Sequence, residues 1–258
     1  MFAEERKTEI LQLLQSGKKA KVGELSKRFA VSESTIRRDL QEMEDSGLIQ
    51  RTHGGAISPQ TGLELSFKEK EIRNLEAKSQ IAAAAAALVQ DGEALLLDAG
   101  TTTLQIAKAL RGRPVTVATT SMDVAQVFTD DPVVEVWVLG GTFRKTTHSL
   151  VGFITNTVLA NLHFDKIFLG ANGVSVETAV TTPFLVEAET KRHMLKAASE
   201  VIVVTDSSKL GIKGLCRICS LDEVDLLITD DQGDDDALRS IREFVRVQVV
   251  PGGKGGPV

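Results

Sequence analysis

From Asp91 onward the chain repeats one pattern, a short apolar run followed by a longer stretch of helical periodicity. The runs fall at 94–97, 115–118, 133–139, 166–169, 201–205 and 225–229. Strands this short and this uniformly apolar are buried on both faces, and strands that alternate with helices cross over to lie parallel. Residues 67–250 are therefore expected to form an α/β unit around a largely parallel sheet, with the apolar stretch 244–250 as a further edge strand. Ahead of the first run, 63–90 reads as helix: 67–73 is charged, and 77–89 is rich in alanine, which favours helix and lets it approach a sheet closely. The Gly/Pro-rich residues 251–258 are expected to be a disordered tail.

The first 57 residues follow a different pattern. In 31–47, Ser32 suits a helix N-cap and Gly47 a C′ position, while Ile36, Leu40 and Met43 recur at i, i+4 and i+7. Ser34, Arg38, Gln41 and Asp45 lie opposite that stripe, with Thr35 and Arg37 on its flanks. The free face is thus basic and hydroxylic in its first two turns and acidic afterwards, which suits a helix that sets its N-terminal turns against phosphates and base edges. Two helices precede it: 2–15 carries Ile10, Leu11, Leu13 and Leu14, and 22–30 carries Leu25 and Phe29. Residues 58–66 open with Ser58-Pro-Gln-Thr-Gly62 and read as a linker between domains 1–57 and 67–250.

Charge supports the division. The chain of 258 residues carries a net −5, which argues against indiscriminate binding to nucleic acid or an anionic membrane. Yet Lys18, Lys19, Lys21, Lys27, Arg28, Arg37 and Arg38 cluster within one short stretch against Glu24 and Glu33. A basic module on an acidic body gives selective, strongly salt-dependent DNA binding; a merely solvated helical face accounts for this cluster less well. The N-terminus is not a signal peptide and 81–89 is too short to span a bilayer, so a cytoplasmic protein is expected. Cys216 and Cys219 form a C-x-x-C without further metal ligands nearby, so two reduced thiols are expected, with a regulatory disulfide as the alternative and no metal or cofactor.

Open α/β sheets bind ligands at the carboxyl ends of their strands. The first run ends in Asp98-Ala-Gly-Thr-Thr-Thr103, where Gly100 and the hydroxyls of Thr101, Thr102 and Thr103 meet a helix N-terminus, a setting that suits phosphate or is an ordinary capped turn. The third run ends in Gly140-Gly141 with Arg144 close behind, and the fourth in Gly170-Ala-Asn-Gly173, which presents Asn172. Glu187 and Lys191 are spaced as a helix-surface ion pair, or as a hydroxyl-binding carboxylate and a phosphate-binding ammonium. Lys209, in Asp206-Ser-Ser-Lys209, is a further cation beside hydroxyls.

Glu33-Ser-Thr-Ile-Arg-Arg-Asp-Leu40 followed by Arg51-Thr-His-Gly-Gly-Ala56 resembles the N-terminal signature of the DeoR-type bacterial transcriptional regulators, whose winged helix-turn-helix binds operator DNA. The resemblance implies a wing hairpin over 48–57, with Arg51 and His53 near the DNA backbone. Lys19, Ser34, Thr35, Arg37, Arg38 and Gln41 complete the expected DNA-binding set. Asp98-Ala-Gly-Thr-Thr, Gly140-Gly141, Phe164-Asp-Lys-Ile-Phe-Leu-Gly-Ala-Asn-Gly173, Thr181-Thr-Pro183 and Asp206-Ser-Ser-Lys209 look like the sensor domain of the same family, which resembles ribose-5-phosphate isomerase in fold and binds phosphorylated sugars. The run from Phe164 is most similar to the fructose-operon repressor branch, which implies fructose 1-phosphate as effector. Residues 118–121 depart from the family pattern. The expected protein is a homo-oligomeric repressor of a sugar operon, and the competing reading is an active sugar-phosphate isomerase with a DNA-binding appendage. Isomerisation needs a carboxylate base at the substrate, and where isomerase-like folds supply acids this chain has Ala171-Asn172.

Overall fold

Ser32 opens the third helix by accepting the Thr35 N–H at 3.1 Å. In the computed structural model, which describes residues 3–15, 20–45, 49–52, 54–57 and 67–252, the chain divides into two units, Met1–Leu65 and Ser66–Val258. The first is built on α1 (Ala3–Gln15), α2 (Val22–Phe29) and α3 (Glu33–Asp45). Ile10 and Leu14, Leu25 and Phe29, and Ile36, Leu40 and Met43 are all buried in one core, so each stripe at helical spacing faces inward. α2 stops at Ala30, whose left-handed φ of 52° returns its N–H to the Ser26 carbonyl. The Ser26 hydroxyl donates to the Val31 carbonyl at 2.7 Å and closes the turn into α3.

The expected hairpin is present, and it is part of a three-stranded sheet. β1 (Ala20–Lys21) pairs antiparallel with β3 (Gly55–Ile57), which pairs with β2 (Gln50–Thr52). Gly55 is required by this approach, because a Cβ there would stand 2.0 Å from the Ala20 carbonyl oxygen. Gly47, Lys19, His53 and the linker 58–66 lie outside the described residues.

The second unit begins with α4 (Phe67–Ile72), α5 (Leu75–Ala86), β4 (Ala94–Leu97), α6 (Thr101–Ala109), β5 (Thr116–Thr119), α7 (Met122–Val127) and β6 (Glu135–Val138). A hairpin follows, β7 (Thr142–Arg144) and β8 (Ser149–Val151), then α8 (Phe153–Leu159), β9 (Phe164–Gly170), β10 (Gly173–Ser175), β11 (Ala179–Thr182) and α9 (Leu185–Lys196). The unit continues through β12 (Ala198–Val204), β13 (Cys216–Cys219), β14 (Leu226–Asp230), α10 (Asp235–Ile241) and β15 (Val247–Val250). Seven strands form the main sheet in the order β6-β5-β4-β9-β12-β14-β15, each pair parallel. In chain order that is 3-2-1-4-5-6-7, so the winding direction reverses between β4 and β9, the kind of point outside whose strand ends open α/β sheets bind ligands. Leu95 and Leu97 face one core, shared with Ile81, Ala82 and Ala85 of α5; Leu96 faces the other, shared with Ala188 and Met194 of α9.

Three details differ from the sequence expectation. The helix expected over 63–90 is two helices, broken at Asn74 with φ 51°, and its first residues, 63–66, lie outside the described set. The strand expected over 133–139 is trimmed to Glu135–Val138. A second small sheet, β10-β11-β13, was not legible as strand, since its segments lack a long apolar run and take their register from one another. It also removes the disulfide alternative. Residues three apart in a strand have Cα atoms about 10 Å apart and point to opposite faces, beyond the roughly 7 Å limit for a bridge. Both thiols are free, and burial pushes Cys219 up to about 12. Of residues 251–258, Pro251 and Gly252 are described, and the Gly252 N–H donates to Asp231 at 2.7 Å.

One buried ion pair ties α1 to α3. Arg6 Nε meets Asp39 Oδ2 at 2.6 Å and Nη2 meets Oδ1 at 3.1 Å, with the residues 5 % and 4 % exposed. Asp39→Ala leaves the guanidinium buried without its partner and should destabilise the first unit by about 3–5 kcal/mol. Amide hydrogen exchange of α1 and α3 in the full chain measures this, and the double change Arg6→Met with Asp39→Leu should be far milder.

Candidate functional site

The reversal point is occupied by an ion pair. Asp98, directly after β4, is 2 % exposed and its Oδ2 accepts the Gly170 N–H at 2.9 Å and the Lys191 ammonium from α9. The same ammonium donates to the Gly170 carbonyl at 3.0 Å. Burial pushes the Asp98 carboxyl up from its ordinary value, while Lys191 and the Gly170 N–H pull against it. Lys191 is thus not the surface partner of Glu187 that its spacing allowed.

Glu187, one turn earlier on α9, is buried and takes other partners. Its Oε1 accepts the Thr147 hydroxyl at 2.7 Å and faces Arg144 Nε at 3.0 Å; its Oε2 accepts the Thr182 hydroxyl at 3.1 Å. Arg144 also stacks on Phe184, 3.8 Å from the ring centroid. Asn172 lies beside this group, its Oδ1 3.1 Å from the Thr182 hydroxyl. The i, i+4 acid and base therefore hold different buried partners, Thr147 at 40 positions from Glu187 and Asp98 at 93 positions from Lys191 in sequence.

The hydroxyls at the strand ends divide in two. Thr103 donates within its own turn, 2.6 Å from the Asp98 carbonyl and 2.9 Å from that of Gly100. Thr119 donates to the Leu97 carbonyl at 2.8 Å, and Ser121 caps α7 through the Val124 N–H. Thr101 and Thr102 are likewise buried, at the first turn of α6, whose N-cap Gly100 supplies no side chain. Gly141 has a structural reason to be glycine: with φ +151°, a Cβ there would lie 2.0 Å from Thr155 Oγ1. Gly140 accepts the Thr155 hydroxyl at 2.6 Å. Lys209 ends a short 3₁₀ turn beside Asp206.

In the first unit, Ser34, Arg37, Arg38 and Gln41 are exposed along one face of α3, with Thr35 half-buried at its edge. Arg37 is held by Glu33 at 3.1 Å and Arg38 by Glu42 at 3.2 Å, both exposed pairs. Arg51 lies in β2, on the hairpin.

Two family models match this chain, the DeoR-like helix-turn-helix domain over residues 6–61 and the DeoR C terminal sensor domain over residues 73–231. The chain belongs to the DeoR family of transcriptional regulators. It is 38 % identical over 253 residues to the HTH-type transcriptional regulator GlpR of Haloferax volcanii, covering 98 % of this chain and 99 % of that one. It is 37 % identical to the lactose phosphotransferase system repressor of Streptococcus mutans, covering 96 % and 99 %. Ribose 5-phosphate isomerase A from Methanocaldococcus jannaschii overlaps 53 % of this chain and 54 % of its own at 20 % identity and a TM-score of 0.39; the sensor assignment rests on the family match and not on this overlap. Among the described residues no helix is long and apolar enough to cross a membrane.

The DeoR-family sensor unit also buries polar residues that the sequence reading passed over. Lys78 of α5 is 4 % exposed, and its ammonium donates to the carbonyls of Lys70 and, at 2.5 Å, Arg73, closing the C-terminal end of α4. Asn74, in the break between the helices, donates to Asp206 Oδ1 at 2.8 Å. Burial works to raise Asp206, but Ser208, Lys209, Asn74 and Lys78 outweigh it and hold the carboxyl below its ordinary value. A signal for Lys78 existed: it falls in phase with Ile81, Ala82 and Ala85, on the face that packs inward.

Burial pushes the Lys78 ammonium down from 10.5 to about 8, with Asp206 pulling it back. Between these values the unfolded chain binds a proton that the folded chain does not, so stability rises with pH through this window. Relative to Lys78→Met, the wild type should gain about 3 kcal/mol on going from pH 8 to pH 10.5. Urea unfolding of both proteins across that range checks the sign, and parallel pH profiles would show that Lys78 is not the group responsible.

Proposed function

We propose that this DeoR-family regulator represses a sugar-catabolism operon and that a phosphorylated sugar, held outside the carboxyl ends of β4 and β9, sets its affinity for the operator. The observation that carries the proposal is the contrast within one turn: Thr103 is bonded to its own backbone, while the Thr101 and Thr102 hydroxyls make no hydrogen bond to another described residue at an uncapped helix N-terminus. Backbone N–H groups, two unused hydroxyls and the positive end of α6 suit a phosphate. Lys191 and Lys209 supply charge, Glu187 and Asn172 face the sugar hydroxyls, and Gly100, Gly140 and Gly141 shape the walls. The Streptococcus mutans relative, named for a lactose phosphotransferase system, supports a sugar-derived signal. Fructose 1-phosphate is the first effector to test.

Binding without turnover is favoured by the state of the two acids. Asp98 is bonded to Gly170 and Lys191, and both Glu187 oxygens are occupied by Thr147, Arg144 and Thr182. Neither is a free base beside a substrate carbon, as isomerisation requires.

Within the second unit, the loop between β7 and β8 joins this site to α4. Thr147 donates to Glu187, while its neighbours hold the first residue of α4: the Phe67 N–H donates to the Thr146 carbonyl at 3.1 Å, and Phe67 stacks on His148 with ring centroids 4.9 Å apart. His148 is itself fixed by Asp123 at 2.9 Å. A ligand hydroxyl that displaces Thr147 from Glu187 frees this loop and with it α4, the first described element after residues 58–66. On the DNA side, Ser34, Thr35, Arg37, Arg38 and Gln41 read the operator, and Lys19, Arg51 and His53 contact its backbone. One helix reads few base pairs, so an even-numbered homo-oligomer binds half-sites spaced by whole turns of about 10 base pairs.

Two measurements test the reading. Arg38→Ala should weaken operator binding by about 1–3 kcal/mol relative to random duplex, in competition assays at several salt concentrations; unchanged affinity removes Arg38 from the interface. Thr101→Val with Thr102→Val should weaken the effector by roughly 3 kcal/mol, followed as the anisotropy response of labelled operator to fructose 1-phosphate, fructose 6-phosphate, glucose 6-phosphate and free fructose. An equal response of variant and wild type would sink the phosphate cradle, and isomerised sugar in the same mixtures would sink the sensor reading.

A further inference from the structure

Gln105 of α6 has no role in the clusters described above. It is 8 % exposed, and its Nε2 has no hydrogen-bond partner among the described residues. An amide buried in this way is less stable than an apolar residue of the same shape, so the fold gains nothing from it.

Its position on the helix says what it serves. Gln105 follows Thr101 by four residues and Thr102 by three, and helical side chains at those spacings share a face and lean toward the N-terminus. The amide therefore extends over the turn that Thr101 and Thr102 open, at the end of a nine-residue helix whose N-cap Gly100 has no side chain to satisfy it. One turn further along that face Lys108 pairs with Glu71 of α4 at 3.9 Å, so α4 lies alongside and helps to keep the face from solvent.

We infer that Gln105 is a ligand-binding residue, the amide donor that completes the phosphate cradle formed by Thr101, Thr102 and the first N–H groups of α6. This inference rests on the sugar-phosphate reading and adds a residue to it. A neutral donor here favours a phosphate oxygen over a hydroxyl or a cation, and a carboxylate in its place would repel the ligand.

The test uses the full chain, with Gln105→Leu and Gln105→Glu compared to wild type by calorimetric titration with inorganic phosphate, fructose 1-phosphate, fructose 6-phosphate and free fructose. Gln105→Leu should weaken every phosphorylated probe by about tenfold and leave the ligand-free Tm equal to or above that of wild type, because an unpaired amide has been removed. Gln105→Glu, nearly isosteric, should weaken them by about a hundredfold and decides the matter if the leucine variant does not fold. Unchanged affinities in both variants overturn the assignment while leaving the sugar-phosphate reading intact. A loss confined to the sugar phosphates, with inorganic phosphate unaffected, overturns it as well, since the contact is then to sugar. A wild type that binds none of the phosphorylated probes overturns both readings.

Discussion

The sensor unit depends on the Asp98–Lys191 pair at the point where its sheet reverses direction. Asp98 takes the Gly170 N–H and the Lys191 ammonium on one oxygen, and Lys191 returns to the Gly170 carbonyl, so β4, β9 and α9 meet in three contacts. A buried carboxylate tolerates such a place only with a cation and a donor on it, and removal of either strands the other charge. With α9 fixed there, Glu187 one turn earlier is brought to Thr147, Thr182 and Arg144. The second small sheet follows, because β11 carries Thr182 and pairs with β13.

Around this anchor the strand-end polar groups have two kinds of employment. Thr103, Thr119, Ser121 and Thr155 hold turns and helix starts through backbone atoms, and Asp230 holds Ser207 by both its N–H and its hydroxyl at 2.7 Å. These contacts make the rim rigid. Thr101, Thr102 and Gln105 are also buried, slightly more open than Thr103, Thr119, Ser121 and Thr155, and are not used in this way. A rim rich in hydroxyls is therefore no sign of a ligand by itself; the sign is which of them the fold leaves unused.

The two units treat their ion pairs differently. Arg6–Asp39 is buried and bidentate, and holds helices together. Arg37–Glu33 and Arg38–Glu42 are exposed pairs along α3, weakened by water and salt, so a phosphate brought to this face would displace the carboxylates at little expense. In the proposed DNA-binding role these carboxylates would orient the arginines without blocking them. Such a role is compatible with a chain whose net charge is −5.

The local order of the chain was readable from its residues. The stripes Ile36-Leu40-Met43 and Leu25-Phe29, the Ser32 cap and the turn after Asp98 appear where periodicity and capping chemistry put them, and the apolar strands do so up to a few residues at their ends, because each depends on residues within one or two turns of one another. The partners of the buried charges were not readable. Spacing allowed Glu187 and Lys191 to be an ion pair or two ligand contacts, whereas the fold gives Glu187 to Arg144 and Lys191 to Asp98; Lys78 sits among alanines with nothing local to mark its partners, and the strand Cys216–Cys219 reads locally as a thiol motif. A buried charge takes whichever opposite charge the packing of distant segments brings within reach, and that choice is made by the winding of the sheet, which returns β9 to the side of β4 and packs α9 on the sheet face that carries Leu96.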